Sequence, residues 1–190
     1  MTALRIQLAW VCLAALVPIP GGAGPASGTA AEAGVPQYVR QLEQAYGRPG
    51  EAGFGSAVFR STLRAEDSLE VAALESYRRF VGPKWERFGE KAWTAPWREV
   101  YSRGELARRD IVSELRRIAD TDARNSVPMI LEVVEDAADA RTALSAAFDA
   151  PQVTELRVFN LGDGNMMSGL LVAGRRAASA EAVMLVFLMD

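Results

Sequence analysis

A chain of 190 residues with 49% hydrophobic and 24% charged residues has the composition of a globular protein with room for one domain's core. Its formal charge is −3, and residues 1–26 contribute only Arg5 to it, so the remainder is slightly more acidic than the whole. That balance argues against a nucleic-acid partner, which needs a basic face, and against electrostatic docking on an anionic bilayer. The chain has no histidine and a single cysteine, Cys12, which excludes Ser-His-Asp and Cys-His catalysis and removes the usual ligands of zinc, copper and haem. No metal or other cofactor is expected, and the groups left for chemistry are carboxylates, arginines, hydroxyls and aromatics.

Residues 1–5 carry one positive charge, and residues 6–17 (IQLAWVCLAALV) form an apolar run closed by Pro18 and Pro20. A dozen helical residues cover ~18 Å, short of the ~30 Å core of a bilayer. The run therefore reads as the apolar region of a signal peptide, followed by a flexible linker that reaches residue 33, with cleavage after Ala26, Gly28 or Ala30. The expected mature protein is exported, periplasmic or extracellular, with no stable membrane span. Cleavage removes Cys12, so there is no disulfide, and packing alone has to hold the domain, residues 34–190.

Along that domain the first helix is expected over 37–46, with Val39, Leu42, Ala45 and Tyr46 on one face. The segment 47–55 (GRPGEAGFG) breaks it, and 56–63 reads equally as a short strand or irregular chain. Asp67 and Glu70 have the spacing of a capping box for a helix that stops at Gly82-Pro83. Residues 85–101 suggest short helices broken near Pro96. Residues 105–119 form an amphipathic pattern with Leu106, Val112, Leu115 and Ile118 facing inward. A long helix capped by Asn125 or Ser126 is expected to carry Pro128 in its first turn and to end before Pro151. Residues 153–161, 166–175 and 182–189 then read as three strands joined by short turns. The expected fold is α+β: a helix-rich part over 37–149 and a three-stranded antiparallel meander over 153–189, packed on the helices. The last run, AVMLVFLM, is apolar on both faces and requires cover on both, from helices or from a partner.

The densest functional pattern is aromatic. The group Phe80, Trp85, Phe88, Trp93, Trp97 and Tyr101, with Arg87, Lys91 and Arg98 among them, has the residue types of a stacking platform for a sugar or peptide, or of an interaction hot spot, with Trp85, Trp93, Trp97, Tyr101 and Arg98 as the candidate binding residues; the structural alternative is a satellite core beneath irregular helices. Asp163 and Asn165 lack the further oxygen ligands of a calcium loop and fit a hairpin turn. Glu132, Glu135, Asp136 and Asp139 are expected on one helix, where a buried pair at four-residue spacing would suit acid–base chemistry and a solvated face would not. The arginine pairs at 78/79, 108/109, 116/117 and 175/176 read as solvent-facing partners of nearby acids.

The order of helices and strands coarsely resembles the cystatin-like and NTF2-like architectures, helices packed on a curved antiparallel sheet, and that resemblance implies a small-molecule pocket. Two functions follow as expectations. The first is an exported, non-catalytic protein that binds a protein, peptide or cell-envelope component. The second is a small-ligand-binding pocket domain of the cystatin/NTF2-like type, with carboxylate-assisted hydrolysis as its chemistry.

Overall fold

The computed structural model describes residues 34–132 and 134–189. The leader, Cys12 and the cleavage positions lie outside the described residues. Helix α1 (Gln37–Tyr46) buries Val39, Leu42 and Tyr46 and ends at Gly47, whose positive φ of 84° redirects the chain. The Tyr46 hydroxyl donates to the carbonyl of Ile130 at 2.9 Å, and burial raises its pKa well above the tyrosine range.

The sheet is antiparallel and five-stranded, in the order β1-β5-β4-β3-β2. Its centre is the expected meander: β3 (Val153–Gly162), β4 (Ser168–Arg176) and β5 (Glu181–Met189). Three strands undercount it. Strand β1 (Gly55–Thr62) adds to the outer side of β5, and β2 (Arg98–Ser102) adds to the outer side of β3. The region 37–149 is therefore not wholly helical. Strand β1 is marked only by the short apolar run Ala57-Val58-Phe59, and β2 is so polar that its two apolar residues give no period of two.

Helices cover both sheet faces. On one lie α1, α5 (Ile111–Arg116), α6 (Thr121–Leu131) and α7 (Ala137–Phe148), packed on Leu156, Val158, Leu170, Val172, Val183 and Leu185. On the other lie α2 (Leu69–Val81), α3 (Pro83–Phe88) and α4 (Glu90–Thr94), packed on Phe59, Phe159, Leu171, Met184 and Val186. The two-sided apolar run of β5 is thereby covered within the chain. Both faces of the sheet are filled by apolar side chains. Gly174 shows how tight the fit is: a β-carbon there would lie 2.9 Å from the Phe148 ring. Residues Val35–Asp190 make one compact unit with both cores complete, and no helix among the described residues is long and apolar enough to cross a membrane.

The helix boundaries correct the sequence reading where side chains take over from periodicity. Ser68, not Asp67, caps α2, because the Asp67 carboxylate accepts from the Arg64 amide at 2.8 Å. The expected helix over 105–119 shrinks to α5, capped by Asp110. The long helix after residue 125 is two helices: α6 begins at its Asp120 cap and ends three residues after Pro128, which has no amide to give the turn before it. Asp136 caps α7.

Candidate functional site

The tryptophans gather on the α2–α4 face of the sheet. Trp85 and Trp93 are 2% and 1% exposed, stacked with centroids 6.3 Å apart, and Tyr77 meets both edge-on at 5.5 and 6.2 Å. The Trp93 indole N–H donates to the Lys84 carbonyl at 3.2 Å. Trp97 is half-buried; it stacks on Phe159 at 4.5 Å and its N–H reaches Glu70. Tyr77 donates to the Gly162 carbonyl at 3.0 Å, and burial drives its pKa far up. Protein atoms therefore occupy the ring faces of Trp85 and Trp93.

Arg98 and Tyr101 stand apart from this group. Strand alternation turns Arg98 to the opposite sheet face, where Asp120 holds it through two hydrogen bonds of 2.9 and 2.8 Å and Asp122 through a third of 2.9 Å. A bulge between Glu99 and Tyr101 sends Tyr101 there as well, against the α5–α7 core. Trp93, Trp97 and Tyr101 share a four-residue spacing that would align them on a helix; the strand and its bulge separate them.

Two other aromatics are exposed instead, Phe88 from the aromatic group and Phe54, which the sequence pattern does not single out. Phe54 is 57% and Phe88 58% exposed. Phe54 sits between Gly53 and Gly55, both at positive φ, and Phe88 precedes Gly89, also at positive φ, so each ring stands at a turn. Lys84 packs on the first of them. Its ammonium lies 5.1 Å from the centre of the Phe54 ring and donates to the Ala52 carbonyl at 2.7 Å, and on α3 it shares a face with Phe88, four residues on. Arg87 lies 5.4 Å over the Phe88 ring. Beneath, Phe88 meets Trp93 edge-on at 6.1 Å, so the buried indoles support the exposed surface. The available signal in the sequence was an aromatic bracketed by glycines, outside any apolar period.

The large polar clusters close on themselves. Arg103 is clamped by both oxygens of Glu114, at 2.7 and 2.6 Å, by Asp149 and by the Phe148 carbonyl, tying β2 to α5 and α7. Arg175 and Arg176 correct the expectation of solvent-facing pairs. Arg175 binds Glu155 and the carbonyls of Arg64 and Asp67. Arg176, 7% exposed, lies 3.8 Å over the Tyr38 ring and donates to the carbonyls of Ala146 and Ala147. Tyr38 donates to Glu181 at 2.7 Å; burial, then that carboxylate, raises its pKa to about 12.

The acidic group also differs from expectation. Glu132 ends α6, whereas Asp136 and Asp139 begin α7, so the four carboxylates do not share a helix. Glu135, Asp136 and Asp139 border an open cleft of 530 Å³ beside Gln41 and Gln44. A second cleft of 470 Å³ runs along Leu63, Glu155, Arg175 and Ala180. The pKa values of Asp67, Asp110 and Asp120 are lowered, first of all by backbone amides, opposite to what a general acid needs. Asp163 accepts from the amides of Asn165 and Met167 in its turn, and no group of three acids, cysteines or histidines among the described residues is placed to hold a metal. Comparisons with protein-family profiles, curated proteins and solved structures return no match.

Proposed function

We propose that the chain is an exported, non-catalytic protein that binds a protein, peptide or cell-envelope component. The observation that carries this is the surface made by Phe54, Lys84 and Phe88: two exposed rings, each with a cation over it, Lys84 on Phe54 and Arg87 on Phe88, on a domain whose buried arginines are paired internally. On this reading the Trp85, Trp93 and Trp97 cluster contributes as the rigid base of the binding surface, and Arg98 and Tyr101 as braces of the sheet behind it. The apolar run at 6–17 and the small residues after it support export. The absence of histidine and of a thiol after cleavage supports binding over catalysis.

Cell fractionation with N-terminal sequencing of the recovered protein tests this reading. The expected product lies outside the cytoplasm and begins at Ser27, Thr29 or Ala31. A cytosolic protein that retains residues 1–26 would refute the export half of the proposal.

A further inference from the structure

Resting on the binding role just proposed, we infer that the Phe54–Lys84–Phe88 surface docks on an anionic lipid bilayer. Each ring stands at a glycine turn, 57% and 58% exposed. The bond from Lys84 to the Ala52 carbonyl fixes the Phe54 loop to α3 and so fixes the two rings relative to each other. The charge around them has the sign a bilayer of anionic headgroups requires. Residues 78–91 hold five basic side chains, Arg78, Arg79, Lys84, Arg87 and Lys91, against Glu86 and Glu90, and they include the only two lysines of the sequence; with Arg78 paired to Glu86 and Glu51 present in the Phe54 loop, four bases stand against two acids. The chain's net charge of −3 argues against attraction of the molecule as a whole, so docking has to act through this local excess of bases. Salt screens charges beyond about 8–10 Å, so a surface responds to the charge beside it and not to the total.

The choice of a bilayer over an acidic protein rests on shape. The clefts lined by Gln41, Asp136 and Asp139 and by Leu63, Glu155 and Arg175 contain neither ring. A protein partner would have to supply a pocket for each ring, because both rings stand at turns and neither lines either cleft. A lipid interface accepts rings at any spacing among the acyl chains while its headgroups meet the cations.

The test is vesicle sedimentation of the chain starting at Gly34, since the apolar run at 6–17 would partition by itself and Val35–Asp190 holds both cores. Vesicles of phosphatidylcholine alone are compared with vesicles containing about one-third phosphatidylglycerol. The protein is expected to pellet with the anionic vesicles only, and more weakly as salt rises. The Phe54→Ser/Phe88→Ser double variant is expected to lose at least about tenfold in partitioning, and Lys84→Glu/Arg87→Glu is expected to lose the preference for anionic lipid, with circular dichroism unchanged in both. Absence of sedimentation by the wild type, or undiminished binding by the folded Phe variant, overturns the inference. A defined acidic protein that binds the wild type but not the Phe variant, with no vesicle binding, overturns the bilayer and leaves the binding role intact. Loss of both overturns the two together.

Discussion

Trp93→Ala separates core from platform. Trp93 is 1% exposed, packs against Tyr77, Trp85 and Phe88, and donates to the Lys84 carbonyl. Removing a buried indole costs about 3–5 kcal/mol through lost transfer energy and the cavity left behind. The Lys84 carbonyl loses its partner as well, which adds about 1 kcal/mol where water cannot replace the indole. A domain of this size has about 5–15 kcal/mol of stability in total, so the variant remains folded only narrowly. With a urea slope near ~2 kcal/mol per molar, the unfolding midpoint falls by roughly 2–3 M. Far-UV circular dichroism in urea measures this without depending on the fluorophore removed. Phe88→Ser, at an exposed position on the same cluster, is expected to shift stability by less than about 1 kcal/mol. A midpoint shift for Trp93→Ala below about 0.5 M with an unchanged slope would refute the assignment of these indoles to the core.

Three further outcomes follow from the packing and charge network. Glu114→Ala leaves Arg103 buried with Asp149 as its remaining acid and is expected to cost about 3 kcal/mol in urea unfolding. Asp120 has its pKa lowered by the Ala123 amide first and by Arg98 after it, so its contribution is complete above the unfolded value of about 3.9 and is lost as pH falls below it. Asp120→Asn keeps an N-cap acceptor but loses the charge that faces Arg98, so it should be less stable than wild type near neutral pH by under about 1 kcal/mol, with the gap closing under acid, as thermal unfolding across pH would show. Gly174→Val places a side chain where even a β-carbon lies 2.9 Å from Phe148, and a loss of about 1–3 kcal/mol is expected from the melting temperature.

The C-terminal meander was legible because its three strands are long, apolar and separated by short turns, so pattern and structure agree. The same run identified β5 as a strand needing cover on both faces, and α1–α4 with α5–α7 supply it. Strand β2 was not legible: Arg98, Glu99 and Ser102 make it polar, and the four-residue spacing of Trp93, Trp97 and Tyr101 imitates a helix. Its bulge then divides residues that the sequence grouped together. The break between α6 and α7 was hidden for a related reason, since alanines and valines sustain an apolar period across Glu132 and Asp136 without showing which residue caps which helix. Phe54 was not legible because a lone phenylalanine carries no periodicity, and the exposure of Phe88 within the aromatic group was not legible because exposure is a property of tertiary position.

Photo-crosslinking in the cell tests the central claim most directly. A photoreactive phenylalanine analogue replaces Phe54, Phe88 or, as a control, the fully exposed Leu106. Positions 54 and 88 are predicted to form adducts outside the cytoplasm, with lipid where the bilayer is the partner, while position 106 forms none. Equal labelling at all three positions, or labelling at 106 alone, would contradict a binding surface built on Phe54, Lys84 and Phe88.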